Sequence, residues 1–342
     1  MTRIRKIRTI DAECGGDVSR IVVGGTRPVP GNTVADKMAW IRGHADGLRR
    51  LLLSPPHGGA DMSVDLLVEP AAVDADIGYV IMESMGYPAY SGSNTLCTAA
   101  VLLADGLVDR QGARRVLRLE APAGVIAVTA EFDADRLVSA SCDNPDSFVL
   151  EHDATLSLDS DGEITYSLAY SGVFYVLVRA ADLGFRLQPA EEPALIECAQ
   201  RIVAAFDGRP ALAHPLLEAA GRELFVHFMG EAQTAGAGTL RARGATFVQP
   251  NVLCHSPTGT GTCARLALLH REGRIGAGQT LETVSLAGTR LRGTVIAPTR
   301  IGEFDGIRCT MSGSPRVLGP AELEIDLDDC PVPAKDLEAI LE

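Results

Sequence analysis

Residues 91–106 (SGSNTLCTAAVLLADG) and 258–273 (TGTGTCARLALLHREG) share one pattern. In each, a hydroxyl residue is followed by glycine, a second hydroxyl residue, one variable residue and threonine. An apolar helical stretch comes next, and a glycine closes it at the same offset, Gly106 in one copy and Gly273 in the other. The copies lie 167 residues apart (258 − 91), close to half of a chain of 342 residues. A repeat that matches in both its start and its stop predicts two related halves, each built around its own helix. The length points the same way, because a single hydrophobic core stops growing well before this size.

Glycine and proline punctuate the rest densely, and short β-like runs recur at 4–10, 20–23, 63–68, 78–82, 116–119, 125–130, 165–168 and 174–178. The first alternates apolar and basic residues, the mark of a half-buried strand. Two amphipathic helices are predicted. One covers 33–53, with Val34, Met38, Ile41 and Leu48 near one face and Trp40 as a packing residue; the other covers 193–206, with a stripe of Leu195, Ile196, Ala199, Ile202 and Val203. Strands and helices alternate irregularly, so the expected fold class is α+β, with two pseudo-symmetric α/β domains. The first domain is expected to comprise 1–148 plus 320–342 and to carry the SGSNT motif; the second comprises 149–319 and carries SPTGTGT.

The net charge of −13 is spread along the chain. That argues against nucleic acid or an anionic membrane as partner, since either favours a basic face. No apolar run approaches the ~18 residues of a membrane span. The basic N-terminal stretch lacks the apolar centre of a signal peptide. Eight cysteines, at 14, 97, 142, 198, 254, 263, 309 and 330, form no CxxC pair. They are expected to be reduced thiols of a cytoplasmic protein, without metal-ligand spacing.

The chemistry concentrates at the two helix starts. A helix N-terminus offers free N–H groups and the positive end of the dipole, so a carboxylate binds there readily. Gly92 and Gly259 permit close backbone approach. Two readings are open at this point. Ser91 and Thr258 are good N-caps and serve only as such; or the two turns together hold one small carboxylate, with Ser91 and Thr258 on opposite faces of its α-carbon. The second geometry suits removal and return of an α-proton, or removal followed by loss of a β-substituent.

Ser256-Pro257-Thr258-Gly259-Thr260-Gly261-Thr262 resembles the second signature of the proline racemase family, Asp-Arg-Ser-Pro-Cys-Gly-Thr-Gly-Thr. Ser91-Gly92-Ser93-Asn94-Thr95 resembles the first, Met-Cys-Gly-His-Gly-Thr, in its serine-bearing variant. Weaker similarity runs through Gly15-Gly16, Arg20-Ile21-Val22, Pro56-His57-Gly58, Asp61-Met62, Tyr170-Ser171-Gly172 and Phe174-Tyr175, and so covers most of the chain. The resemblance implies the diaminopimelate epimerase-like fold, two α/β domains around a central cleft. It implies a proline racemase, a 4-hydroxyproline 2-epimerase or a trans-3-hydroxyproline dehydratase, needing neither metal nor pyridoxal phosphate. The partner is then a small amino or imino acid, and homodimers are common in the family. By the same resemblance Ser91 and Thr258 stand at the catalytic positions, and Gly92, Ser93, Cys254, His255, Gly259 and Thr260 line the substrate.

This chain departs from the family at those positions. Racemases carry cysteine at both catalytic positions, and dehydratases carry cysteine then threonine; here both residues bear hydroxyls. A thiol titrates near pH ~8.5 and drops further at a helix N-terminus, whereas an aliphatic hydroxyl is a far weaker acid and needs a partner. The family's aspartate and arginine before the second signature are Cys254 and His255, and the histidine of the first is Ser93. One expectation is that Cys254 or His255 supplies the missing base. Three functions are therefore weighed: an α-carbon racemase or epimerase, a dehydratase, and a carboxylate-binding homologue without catalysis.

Overall fold

The computed structural model describes residues 3–109, 111–158, 162–206, 209, 212–216 and 223–342. Two compact units emerge, Met1–Cys142 with Ser314–Glu342, and Asp143–Gly313. The chain begins with β1 (Ile4–Cys14), β2 (Asp17–Gly24), α1 (Val34–His44), α2 (Asp46–Leu52), β3 (Ser63–Val68), β4 (Ile77–Met82), α3 (Gly92–Ala104), β5 (Arg114–Ala121), β6 (Gly124–Asp133) and β7 (Arg136–Ser157). It continues with β8 (Glu163–Tyr170), β9 (Phe174–Arg179), α4 (Glu192–Phe206), β10 (Leu224–Met229), β11 (Gln233–Gly236), β12 (Thr239–Val248), β13 (Val252–Leu253), α5 (Gly259–Arg271), β14 (Thr280–Val284), β15 (Arg290–Ile301) and β16 (Phe304–Gly313). The return to the first unit is β17 (Arg316–Asp326) and α6 (Ala334–Glu338).

Both crossings lie six residues before the expected ones (148 − 142 and 319 − 313). Packing explains the difference. Phe148 is wholly buried in the core of the second unit, while Arg316 and Val317 already pair with Glu13 and Ala12 of β1.

The repeat seen in the sequence extends to the strand pairings. In the first unit β1–β2 is antiparallel, β2–β3 parallel, β3–β4 antiparallel, β4–β5 parallel, and β5–β6 and β6–β7 antiparallel. In the second, β8–β9, β9–β10, β10–β12, β12–β14, β14–β15 and β15–β16 run through the same order of directions. In each unit a helical segment spans the first parallel crossover, α1–α2 in one and α4 in the other. In each, the helix of the repeat spans the second parallel crossover, α3 between β4 and β5 and α5 between β12 and β14.

Those two helices are the centre of each unit. Both α3 and α5 have 13 residues, with ten of them buried, and both are followed by a glycine in the left-handed region, Gly106 (φ 68°) and Gly273 (φ 69°). A helix buried on nearly every side cannot rely on one apolar stripe, which is why small and apolar residues run around its whole circumference. Separate apolar clusters fill the two units. Ile41, Leu48, Leu66 and Val80 belong to the first, and Phe174, Val176, Leu195, Ile202 and Phe247 to the second.

The expected single helix at 33–53 is two. Thr33 and Asp36 form a capping box that starts α1, but Ala45 leaves helical geometry (φ −139°, ψ 23°) and α2 begins at Asp46. Asp46 accepts from Arg49 Nε at 2.7 Å and from Tyr87 Oη at 2.8 Å. The break lets Ile41 and Leu48 both reach full burial.

Candidate functional site

Each unit has one such helix start, and the two are built alike. In the first, Ser91 takes an extended conformation (φ −149°, ψ 123°) and its hydroxyl makes no capping bond. Its carbonyl accepts twice from Thr95, from the amide at 3.0 Å and from the hydroxyl at 2.7 Å. In the second, Thr258 occupies the cap position, and its hydroxyl likewise does not cap. The Thr258 carbonyl accepts from the Thr262 amide at 3.0 Å and hydroxyl at 2.8 Å. Simple side-chain capping by Ser91 and Thr258 is thus corrected: the threonine one turn on holds each turn, and the Thr258 hydroxyl meets that of Thr246 instead.

Around Ser91 the network runs through Asn94, which is buried. Its Oδ1 accepts from Ser19 at 2.9 Å and Ser63 at 2.8 Å, and its Nδ2 donates to Glu83 Oε1 at 3.2 Å. Burial, with the negative charge of Asp17 nearby, pushes the Glu83 carboxyl up to about 7 against the pull of the Asn94 bond. Glu83 therefore changes protonation around neutral pH.

Around Thr258 the arrangement differs. Its backbone sits at φ 54°, which a β-branched residue rarely adopts. The Thr258 hydroxyl lies 2.8 Å from that of Thr246, and the Thr246 hydroxyl lies 2.8 Å from His227 Nδ1. His227 and Thr246 are direct cross-strand partners on β10 and β12, and both are completely buried. Burial first, then the Arg265 guanidinium, push the His227 imidazole down to about 3, so it is neutral in the working pH range. No described residue bonds its Nε2.

The other expected site residues are placed as follows. Gly92 is buried and Ser93 half-buried. Cys254 is half-buried and its amide donates to the Thr246 carbonyl at 2.9 Å. The His255 side chain is exposed, and its carbonyl accepts from Thr289. A Cβ at Gly259 would lie 2.3 Å from Sδ of the buried Met311, so packing against that side chain also favours glycine there. The Thr260 hydroxyl is held by Tyr175 Oη at 2.6 Å. His227 and Thr246 were missed by sequence reasoning. The available signal was a lone histidine inside the apolar run Phe225-Val226-His227-Phe228-Met229.

Among the described residues no three His, Cys, Asp or Glu side chains gather as a metal site, and no helix is long and apolar enough to cross a membrane.

A two-unit α+β chain with a matched hydroxyl-glycine turn at the head of each central helix defines a class of epimerase-like folds, and comparison with known proteins narrows it. The profile of the proline racemase family matches residues 9–334, and the chain belongs to that family. It is 30% identical to a 4-hydroxyproline 2-epimerase of Allorhizobium ampelinum, over 95% of this chain and 93% of the relative. It is 29% identical to a trans-3-hydroxy-L-proline dehydratase of Burkholderia cenocepacia, over 95% of this chain and 96% of the relative. In structure it is similar to a hydroxyproline epimerase of Agrobacterium vitis solved with bound trans-4-hydroxy-L-proline. The TM-score is 0.87 at 30% identity, covering 98% of this chain and 96% of the other.

Proposed function

We propose that this protein racemises or epimerises proline, hydroxyproline or a related imino acid by proton transfer at the α-carbon, without a cofactor. Ser91 and Thr258 are the groups that face the α-carbon, and the backbone amides of the turns at Gly92-Ser93 and Gly259-Thr260 hold the carboxylate, with Cys254 and His255 beside them. What supports this most is the duplication itself. Two helix starts share residue pattern, helix length and carbonyl bonding, and in neither does the leading hydroxyl cap its helix. Glu83, one hydrogen bond from the first turn of α3, can exchange a proton near neutral pH on the side of the first unit. The proposed compartment is the cytoplasm, which keeps cysteines such as the eight of this chain reduced, and a homodimer is the state proposed from the family.

The test is nuclear magnetic resonance in deuterium oxide with L-proline, trans-4-hydroxy-L-proline and trans-3-hydroxy-L-proline. Deuterium at the α-carbon and growth of the second stereoisomer are expected, both lost in Ser91→Ala and Thr258→Val. Threonine at position 258, together with the dehydratase relative, favours a second reading, elimination of a 3-hydroxyl to a cyclic imine. Thermal stabilisation by these acids without any deuterium uptake would leave only the non-catalytic binding protein.

A further inference from the structure

An unassisted aliphatic hydroxyl is a poor partner for a carbon acid, and this chain has hydroxyls where proton transfer is proposed. The surroundings of Thr258 supply assistance that the surroundings of Ser91 do not. Position 261 is glycine where the first unit has Asn94 (261 − 167), and a Cβ there would stand 2.2 Å from Thr258 Oγ1 and 3.2 Å from both His227 Nδ1 and Thr246 Oγ1. The missing side chain is the space in which the three polar groups meet.

We infer that His227 and Thr246 form a chain of hydrogen-bond donors ending on the Thr258 oxygen, and that this chain makes the Thr258 hydroxyl acidic enough to exchange a proton with substrate; the inference rests on the function proposed above. The polarity follows from what each atom can do. A neutral imidazole carries one N–H. Nε2 is buried and bonded to no described residue, and a buried N–H without acceptor is the costliest orphan a core can hold. The proton therefore sits on Nδ1 and is donated to Thr246. Thr246, its oxygen already accepting, donates its own O–H to Thr258. The Thr258 proton is then left for the substrate.

A hydrogen bond donated into an oxygen stabilises that oxygen most when it is charged, and so lowers its pKa. When Thr258 gives its proton to the α-carbanion, the O–H bond breaks and the C–H bond forms. The electron pair stays on Thr258 Oγ1, held by the Thr246 O–H, while His227 remains neutral throughout. Removal of an α-proton by that alkoxide is the same step reversed. The Arg265 guanidinium, which donates to the carbonyls of Arg243 and Gly230, disfavours a charged imidazole, and the Tyr175 ring stands edge-on to His227 with centroids 6.5 Å apart. His227 and Thr246 are positioning residues: they touch the substrate only through Thr258.

Two measurements test the chain. Long-range proton–nitrogen correlation on the 15N-labelled protein reads the tautomer of His227, expected as Nδ1–H at neutral pH. Deuterium exchange into trans-4-hydroxy-L-proline is then compared in Thr246→Val and Thr246→Ser. Loss of one charge-assisted bond is expected to lower kcat in the valine variant about tenfold to a hundredfold, with KM held within about twofold, and serine is expected to restore it. A proton on Nε2, or an unchanged kcat in Thr246→Val, overturns the inference. If the valine variant does not fold, the serine variant and the tautomer still decide. Absence of exchange in the unaltered protein counts against the proposed function instead, and leaves the tautomer to decide the chain independently.

Discussion

Gly261→Ala separates the needs of the fold from those of the hydrogen-bond chain. The added methyl would start 2.2 Å from Thr258 Oγ1, against the ~3.3 Å at which carbon and oxygen first tolerate each other. The hydroxyl must retreat by about 1 Å, and the simplest retreat is rotation of Thr258 into another staggered well. The rotation breaks the 2.8 Å contact with Thr246. Its loss costs about 1 kcal/mol, and alanine in place of glycine within a helix returns up to about 1 kcal/mol. The net effect on stability is close to zero, a shift of a few degrees in Tm at most. Deuterium exchange at the α-carbon, in contrast, is expected to fall about tenfold or more. Calorimetry and the exchange assay on the same preparation check both halves. A variant that melts ~10 °C lower, or one that keeps full activity, would refute the assignment of Gly261 as space for the chain.

Further outcomes are expected elsewhere. The exchange rate should rise through a step near pH 7 as Glu83 deprotonates, and Glu83→Gln should remove that step from the pH profile. Asp65 is fully buried, accepts from Thr98 at 2.9 Å, and is pushed by burial from 3.8 up to about 8. The folded chain thus holds this proton more tightly than the unfolded one, so the contribution of Asp65 to stability is full below pH ~4 and is lost as pH rises toward ~8. Asp65→Asn should flatten that fall in urea titrations, and a variant with the original slope would contradict it. Burial raises the pKa of Glu282, but bonds from Arg292 and Arg241 outweigh it and leave the carboxyl below its ordinary value. Its contribution is present above the ordinary carboxylate range and lost as pH falls below it; Glu282→Gln should cost about 1–3 kcal/mol at neutral pH, read by chemical denaturation.

The parts of the molecule legible in the sequence are those set by neighbours along the chain. The helix starts at Ser91 and Thr258, the glycine stops and strand 63–68 all depend on residues within a few positions of each other. The long β7 was not legible, because it contains Asn144-Pro145, slips register twice beyond Val149 and passes Asp153 at φ 47°. Proline and bulges read as breaks when no partner strand is visible. The strands from β10 onward were missed as well, since β12 carries Gly244 directly after Arg243 and β15 carries Pro298, so neither shows clean alternation throughout. His227 was hidden for a related reason. It meets Thr258 only through the β10–β12 register, a pairing of residues 19 apart that no local pattern announces. His255, weighed as a base because it stands where the family has its arginine, lies exposed.

The way the two units are threaded sets an order of assembly. Residues 143–313 form one uninterrupted unit, while the other closes only when β17 lies along β1, joining Ile4 to Asp326 and Glu13 to Arg316. During synthesis the inner piece can reach its final form while the N-terminal strand still waits for its neighbour. Until the last thirty or so residues emerge, β1 has one edge unpaired, the condition under which strands recruit strangers. Arg5, Lys6 and Arg8 on that strand keep the waiting edge charged.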